Sequence, residues 1–206
     1  MANTTFNGPV RSENGFETVS KNVTTGTITI TSGNKMAVEA AGSGGIEATA
    51  AIYLTQVERF KSDTATNVNL VKTTIMIDLT GLKDGGTAGD IIGKDGTGVA
   101  YIGQVTKANT GTVFGVTMQC VETPAGGSAD IDLFSANEGT GVNDTPIGAL
   151  TETQIINAGN ASAGTRTAGG DIAGDQFLYL VSQGTGDATY TAGRFLIEIT
   201  GFDAAS

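Results

Sequence analysis

The stretch that most limits how this chain can fold is Asp175 to Phe202, DQFLYLVSQGTGDATYTAGRFLIEITGF. Residues Gln176 to Val181 are apolar on both faces, the pattern of a strand buried between two layers. Phe195, Ile197 and Ile199 then alternate with Leu196, Glu198 and Thr200, which is the period-2 signature of a strand with one face buried. The polar segment Ser182–Asp187 between them predicts a turn. The two runs therefore read as an antiparallel hairpin, and its sandwiched face needs a second sheet over it.

Composition extends this reading to the whole chain. The 206 residues include 31 glycines, 32 threonines and only three prolines. Threonine is β-branched and suits strands, and glycine punctuates turns and bulges. The Leu/Ala/Glu/Lys mixtures of a helical protein are missing. Strand-like segments follow at Thr24–Thr31 with Ile28 and Ile30 on one face, at Lys35–Glu39, at Ile46–Thr55 and at Leu70–Leu82, where Ile75, Ile77 and Leu79 face one way. Gln56–Asn67 reads as a surface loop or short helical turn. Further strands are expected at Asp90–Gly93, at Val99–Val105, at Thr112–Val121 with Phe114, Val116, Met118 and Cys120 on one face, and at Ala129–Phe134 with Asp130 and Asp132 outward. Roughly nine to eleven short strands joined by Gly/Asn/Asp turns predict an all-β fold, an antiparallel β-sandwich of jelly-roll-like type. Its expected core includes Ile75, Ile77, Phe114, Val116, Met118, Leu178, Leu180, Phe195, Ile197 and Ile199.

Two regions depart from this pattern. Residues 1–22 have no period: Phe6, Pro9, Val10, Arg11 and Phe16 stand singly among polar residues and glycines. The segment cannot fold by itself, and it reads as a frayed terminus or as an N-terminal arm that lays apolar anchors and one cation against a partner. About twenty extended residues reach on the order of 60 Å. The domain division that follows is an arm over 1–22 and a single sandwich over 23–206. The second region, Asn137–Gly174, is glycine-rich and polar, and it predicts a long binding, assembly or mobile loop. Within it Thr151–Ile156 suggests a short helix capped by Thr151 with Gln154 as its partner.

Chemistry is sparse. The formal net charge is −10, from 21 acidic and 11 basic residues, which disfavours nucleic acid as a partner. The absence of histidine removes the commonest general base and zinc ligand. Cys120 has no partner for an intrachain disulfide, and its place in VFGVTMQCV marks a buried small hydrophobe rather than a nucleophile. Asp130, Asp132, Glu138 and Asp144 raise the question of calcium or of a glycosidase pair, but their spacing fits neither pattern well. Gly139–Gly141 and Gly184–Gly186 lack the lysine and βαβ setting of a phosphate loop. The expectation is a non-enzyme with no cofactor and no metal. No apolar run approaches the length of a membrane span, and the polar N-terminus does not read as a signal peptide. Ile77–Leu82 and Ile197–Phe202 match in residue type, which suggests strand-to-turn chemistry or an internal duplication.

The phrases ANTTFNGPVRSENGF, DLTGLKDGGTAGDIIG, AYIGQVTKANTGTVFGVTMQCVETPAGGSADIDLFSANEG and YLVSQGTGDATYTAGRFLIEITGF resemble a group of virion structural proteins of marine tailed bacteriophages. The resemblance runs over nearly the whole chain. It implies a capsid decoration or cement protein that binds the outside of a phage head, with the major capsid protein and itself as partners. It also implies a trimer, and a location on the virion surface after synthesis in the host cytoplasm. The resemblance brings no residue roles. A head fibre or tail component would suit the same features, and a carbohydrate-binding sandwich is the alternative from another class, against which stands the absence of tryptophan.

Overall fold

The computed structural model describes residues 18–21, 28–31, 52–61, 68–96 and 98–204. The chain falls into two units, Met1–Lys35 and Met36–Ser206. In the first unit, β1 (Thr18–Lys21) pairs antiparallel with β2 (Ile28–Thr31), Thr18 opposite Thr31 and Lys21 opposite Ile28.

Among its described residues the second unit holds ten strands: β3 (Ile52–Lys61), β4 (Val68–Asp78), β5 (Asp90–Ile91), β6 (Gly103–Val105), β7 (Thr112–Ala125), β8 (Ile131–Ala136), β9 (Glu152–Ile156), β10 (Arg166–Gly169), β11 (Gln176–Ser182) and β12 (Ala192–Ala204). A single α-helical turn, α1 (Lys107–Thr110), precedes β7. Two five-stranded antiparallel sheets result. Sheet I has the order β10-β7-β12-β4-β3; sheet II has the order β5-β11-β8-β9, with β6 also paired to β11. The architecture is all-β, as the threonine and glycine content predicts. The segment Gln56–Lys61, expected as a loop, is instead the continuation of β3, because it finds a full-length partner in Lys61↔Asn69 through Gln56↔Thr74.

The two sheets enclose one core. Val71, Ile75 and Ile77 of β4, Val116 and Met118 of β7, and Phe195, Ile197 and Ile199 of β12 pack against Ile131, Leu133, Leu178 and Leu180 of sheet II. Nine of the ten predicted core residues are buried there. Phe114 is the exception, at 51 % exposed. The reason is a β-bulge. Thr200 is opposite Gly115, yet the next residue, Gly201, is opposite Val113, so Phe114 is the extra residue. One inserted residue reverses side-chain parity. Val113 turns inward in its place and Phe114 turns out.

The expected hairpin of β11 and β12 does not form. The two strands belong to different sheets, because β11 has its edges taken by β8 and by β5 and β6, while β12 lies between β4 and β7. A strand has only two edges, so neither is left for the other. Residues 183–191 are thus a link between sheets, stitched by Tyr190, whose N–H donates to Leu82 O (2.8 Å) and whose carbonyl accepts from Gly81 N (2.9 Å). The resemblance between Ile77–Leu82 and Ile197–Phe202 also has no common structural role. The first leaves β4 after Asp78 for a turn, and the second stays within β12.

The core contains one unsatisfied polar atom among the described residues, Thr73 Oγ1. Thr73→Val keeps the shape and removes the orphaned hydroxyl, so it is expected to raise stability by about 1 kcal/mol. The bulge makes a sharper contrast. Phe195→Ala is expected to cost about 3–5 kcal/mol in urea unfolding, and Phe114→Ala no more than about 0.5 kcal/mol. Equal losses would show that Phe114 points inward after all.

Candidate functional site

The predicted contact residues Phe6, Pro9, Val10, Arg11 and Phe16 lie outside the described residues. The region 137–174 is described throughout, and it differs from the long polar loop expected of it. Its first part, Asn137–Leu150, forms a layer over the outer face of sheet II. There Ile147 and Leu150 pack on Tyr179, Val181, Phe134 and Ile91 in a second apolar cluster. Tyr179 fastens this layer: its hydroxyl donates to Glu138 O (2.7 Å) and accepts from Gly141 N (3.2 Å). Gly141 presses so close that a Cβ there would lie 2.6 Å from Ile91 Cδ1 and 2.9 Å from Tyr179 Cε1.

The expected helix at Thr151–Ile156 is strand β9. Thr151 does not cap: its N–H and hydroxyl donate to the Glu138 carboxylate, each at 2.8 Å. Ile155 and Ile156 enter the main core, and the edge of β8 supplies the pairing partner. An open strand edge and a core to fill outweigh a capping pattern with only one turn behind it.

The four carboxylates considered for calcium are mostly tied to protein donors. Asp132, expected to face solvent, is buried, because residues after β9 fold over it. Its two oxygens accept from Gln154 Nε2 (2.8 Å) and Ala158 N (2.9 Å). Asp144 accepts from Gly86 N (2.9 Å). Burial, and secondarily the charge of Asp132, raises the pKa of Asp130. Among the described residues no group of three or more His, Cys, Asp or Glu side chains is placed to hold a metal ion. Cys120 is buried in the core; burial pushes its thiol pKa up, and Sγ donates to Glu122 O (3.2 Å).

Two surfaces stand out among the described residues. The first is a cleft of about 510 Å³ between the start of β7 and the β9 side, with Lys107, Thr112, Thr153 and Asp171 around an apolar floor of Val113 and Ile155. No aromatic ring lines it. The second is the outer face of sheet I. At the end where β4 begins and β12 finishes, Leu70 is opposite Phe202, and Phe202 is opposite Thr112. The rings of Phe114 and Phe202 lie 6.3 Å apart, and Leu70, Phe114 and Phe202 are 47, 51 and 37 % exposed. Gly201 allows this end to close, because a Cβ there would collide with the carbonyl oxygen of Thr110 at the end of α1. Towards the middle of the face the apolar group gives way to ions: Glu198 pairs with Lys72 and, at 3.0 Å, with Arg166. At the far end Arg194 meets Asp78 at 3.1 Å and Glu122 at 3.5 Å. Burial of Asp78 opposes its ionisation, but hydrogen bonds from Thr80 and Arg194 outweigh it and lower the pKa. Sequence reasoning missed this face because the bulge that exposes Phe114 leaves no mark in the alternation.

The anchoring of the Asn137–Leu150 layer has a pH signature. Burial raises the Tyr179 hydroxyl from 10.0 to about 12. A group whose folded pKa is raised leaves stability intact below the unfolded value and withdraws it above. Stability is therefore expected to fall between pH 10 and about 12, with Tyr179→Phe removing that part of the loss. A pH–stability curve that Tyr179→Phe leaves unchanged would rule out this anchor. No protein-family model, no curated protein and no solved structure matches the chain.

Proposed function

We propose that the chain is a non-enzymatic structural protein of a virion, a capsid decoration or cement protein that binds the outer surface of a phage head and stabilises it. Its partners in this reading are the major capsid protein and further copies of itself. The virion assignment draws on the resemblance of the sequence phrases. The manner of action draws on one structural observation: Leu70, Phe114 and Phe202 are held exposed on strands β4, β7 and β12, whose other face is packed in the core. Exposed apolar groups on a rigid support mark a protein contact surface. Asp132, Asp144 and Glu138 serve as hydrogen-bond acceptors within the fold, an arrangement that suits a scaffold. A sugar-binding module ranks behind, since stacking on sugar faces asks for aromatic rings and the cleft has none.

In this reading the part of the 1–22 arm that precedes β1, with Phe6, Pro9, Val10, Arg11 and Phe16, is laid on a neighbouring subunit, and attachment is multiplied over the lattice. Purified protein is expected to sediment with emptied phage heads. Deleting residues 1–17, which spares β1, is expected to lower occupancy while the far-UV spectrum of the sandwich stays the same. Binding to isolated tails but not heads would replace the decoration role with a tail role. Undiminished binding of the truncated chain would remove the arm from the mechanism.

A further inference from the structure

The charge of this protein is distributed unevenly over its surfaces, in a way the net value of −10 conceals. On the outer face of sheet I, the described charged side chains are three cations, Lys72, Arg166 and Arg194, and three anions, Asp78, Glu122 and Glu198, all joined in ion pairs across strands. The rest of the described side chains, on sheet II and the loops, carry eleven carboxylates against three lysines. Among the described side chains the acidic excess thus lies away from the sheet I face. The same face holds four of the five large apolar side chains exposed among the described residues: Leu70, Phe114, Val121 and Phe202. The fifth, Val142, belongs to the layer over sheet II. Val121 is outward by the ordinary alternation that turns Met118 and Cys120 inward.

We infer that the outer face of sheet I is a self-association surface, on which two copies of this chain meet face to face about a two-fold axis. Charge selects the occupant. Two molecules that each carry a net charge of −10 repel, and contact through sheet II or the loops would bring carboxylates together. Contact through β10, β7, β12 and β4, whose described charges are paired, sets one balanced surface on another, so that approach there costs little like-charge repulsion and apolar area is removed from water. Size permits it. Strands β4, β12, β7 and β10 have 11, 13, 14 and 4 residues; at roughly 3.4 Å per residue and about 4.8 Å between strands they span roughly 680 Å². That clears the roughly 500 Å² per partner needed by a specific interface. Like faces meeting are isologous, so the contact closes at two and does not propagate. Leu70, Phe114 and Phe202 are the central anchors, and Lys72, Glu198 and Arg166 supply the flanking pairs. The inference is independent of the virion assignment.

The test is light scattering and sedimentation equilibrium on the full chain over a range of concentrations. A mass of about twice 20.8 kDa is expected. The exposed substitutions Phe114→Glu and Phe202→Glu, each checked for an unchanged melting profile, are expected to weaken the dimer on the order of 100-fold. Val142→Glu, equally exposed but on the other side, is expected to leave the mass unchanged. A monomer at high micromolar concentration overturns the inference. So does a trimer, the count implied by the resemblance, because face-to-face packing closes at two. A dimer that Phe114→Glu and Phe202→Glu leave intact places the contact elsewhere and overturns it as well. If the chain is monomeric and these two variants lose attachment to phage heads, the face belongs to the capsid protein. In that outcome the virion reading survives while the self-association does not.

Discussion

The structure depends on β11, a strand that, like its neighbour β8, is buried on both faces. Leu178 and Leu180 of β11 enter the core shared with sheet I, while Tyr179 and Val181 enter the smaller cluster under Asn137–Leu150. Each face needs its own cover, and so the chain builds three layers: sheet I, sheet II and a layer of extended chain. Burying a large apolar side chain contributes roughly 1.5–3 kcal/mol, so a strand that buries both sets at once gathers an outsized share of the hydrophobic gain. The rest of the topology follows from leaving β11 no free edge.

A chain with this much glycine and this many turns must also satisfy the backbone of its loops, and aspartate performs that task. Asp84 is buried and accepts from Ser128 N at 2.8 Å and Ala188 N at 2.6 Å, residues 44 and 104 positions away in sequence. Asp132 and Asp144 do the same for other loops. Buried backbone N–H groups are costly when unpaired, and a carboxylate offers strong acceptance in two directions. Much of the acidity that reads in the sequence as a solvated surface or a candidate metal cluster is thus internal fastening. Among the described side chains, what remains on the outside makes the sheet II side acidic and leaves the outer face of β10, β7, β12 and β4 balanced.

That separation of faces gives the body a polarity that suits an assembly protein. One sheet face offers apolar anchors flanked by paired ions; the opposite side presents carboxylates and a layer sealed by Tyr179. A rigid body with a packed interior loses little on binding, because its contact residues are already held in place by strands. The bulge at Phe114 is the device that turns a large side chain from the core to this surface.

Several properties were decided by the sequence alone. The all-β class follows from threonine and glycine content, and the core positions follow from period-2 alternation at Ile75, Ile77, Val116, Met118, Phe195, Ile197 and Ile199. Both depend on local chemistry, since side chains alternate along any strand whatever its neighbours are. The two-sided burial of Leu178–Val181 was legible for the same reason. Pairing was not. Whether β11 joins β12 or β8, whether Thr151–Ile156 is a helix or the partner of β8, and whether Asp132 meets water or Gln154 depend on residues distant in sequence competing for the same edges and donors. Only the tertiary structure decided these, and with them the facing of Phe114. A bulge is a mismatch between two strands, and no single strand carries a record of it.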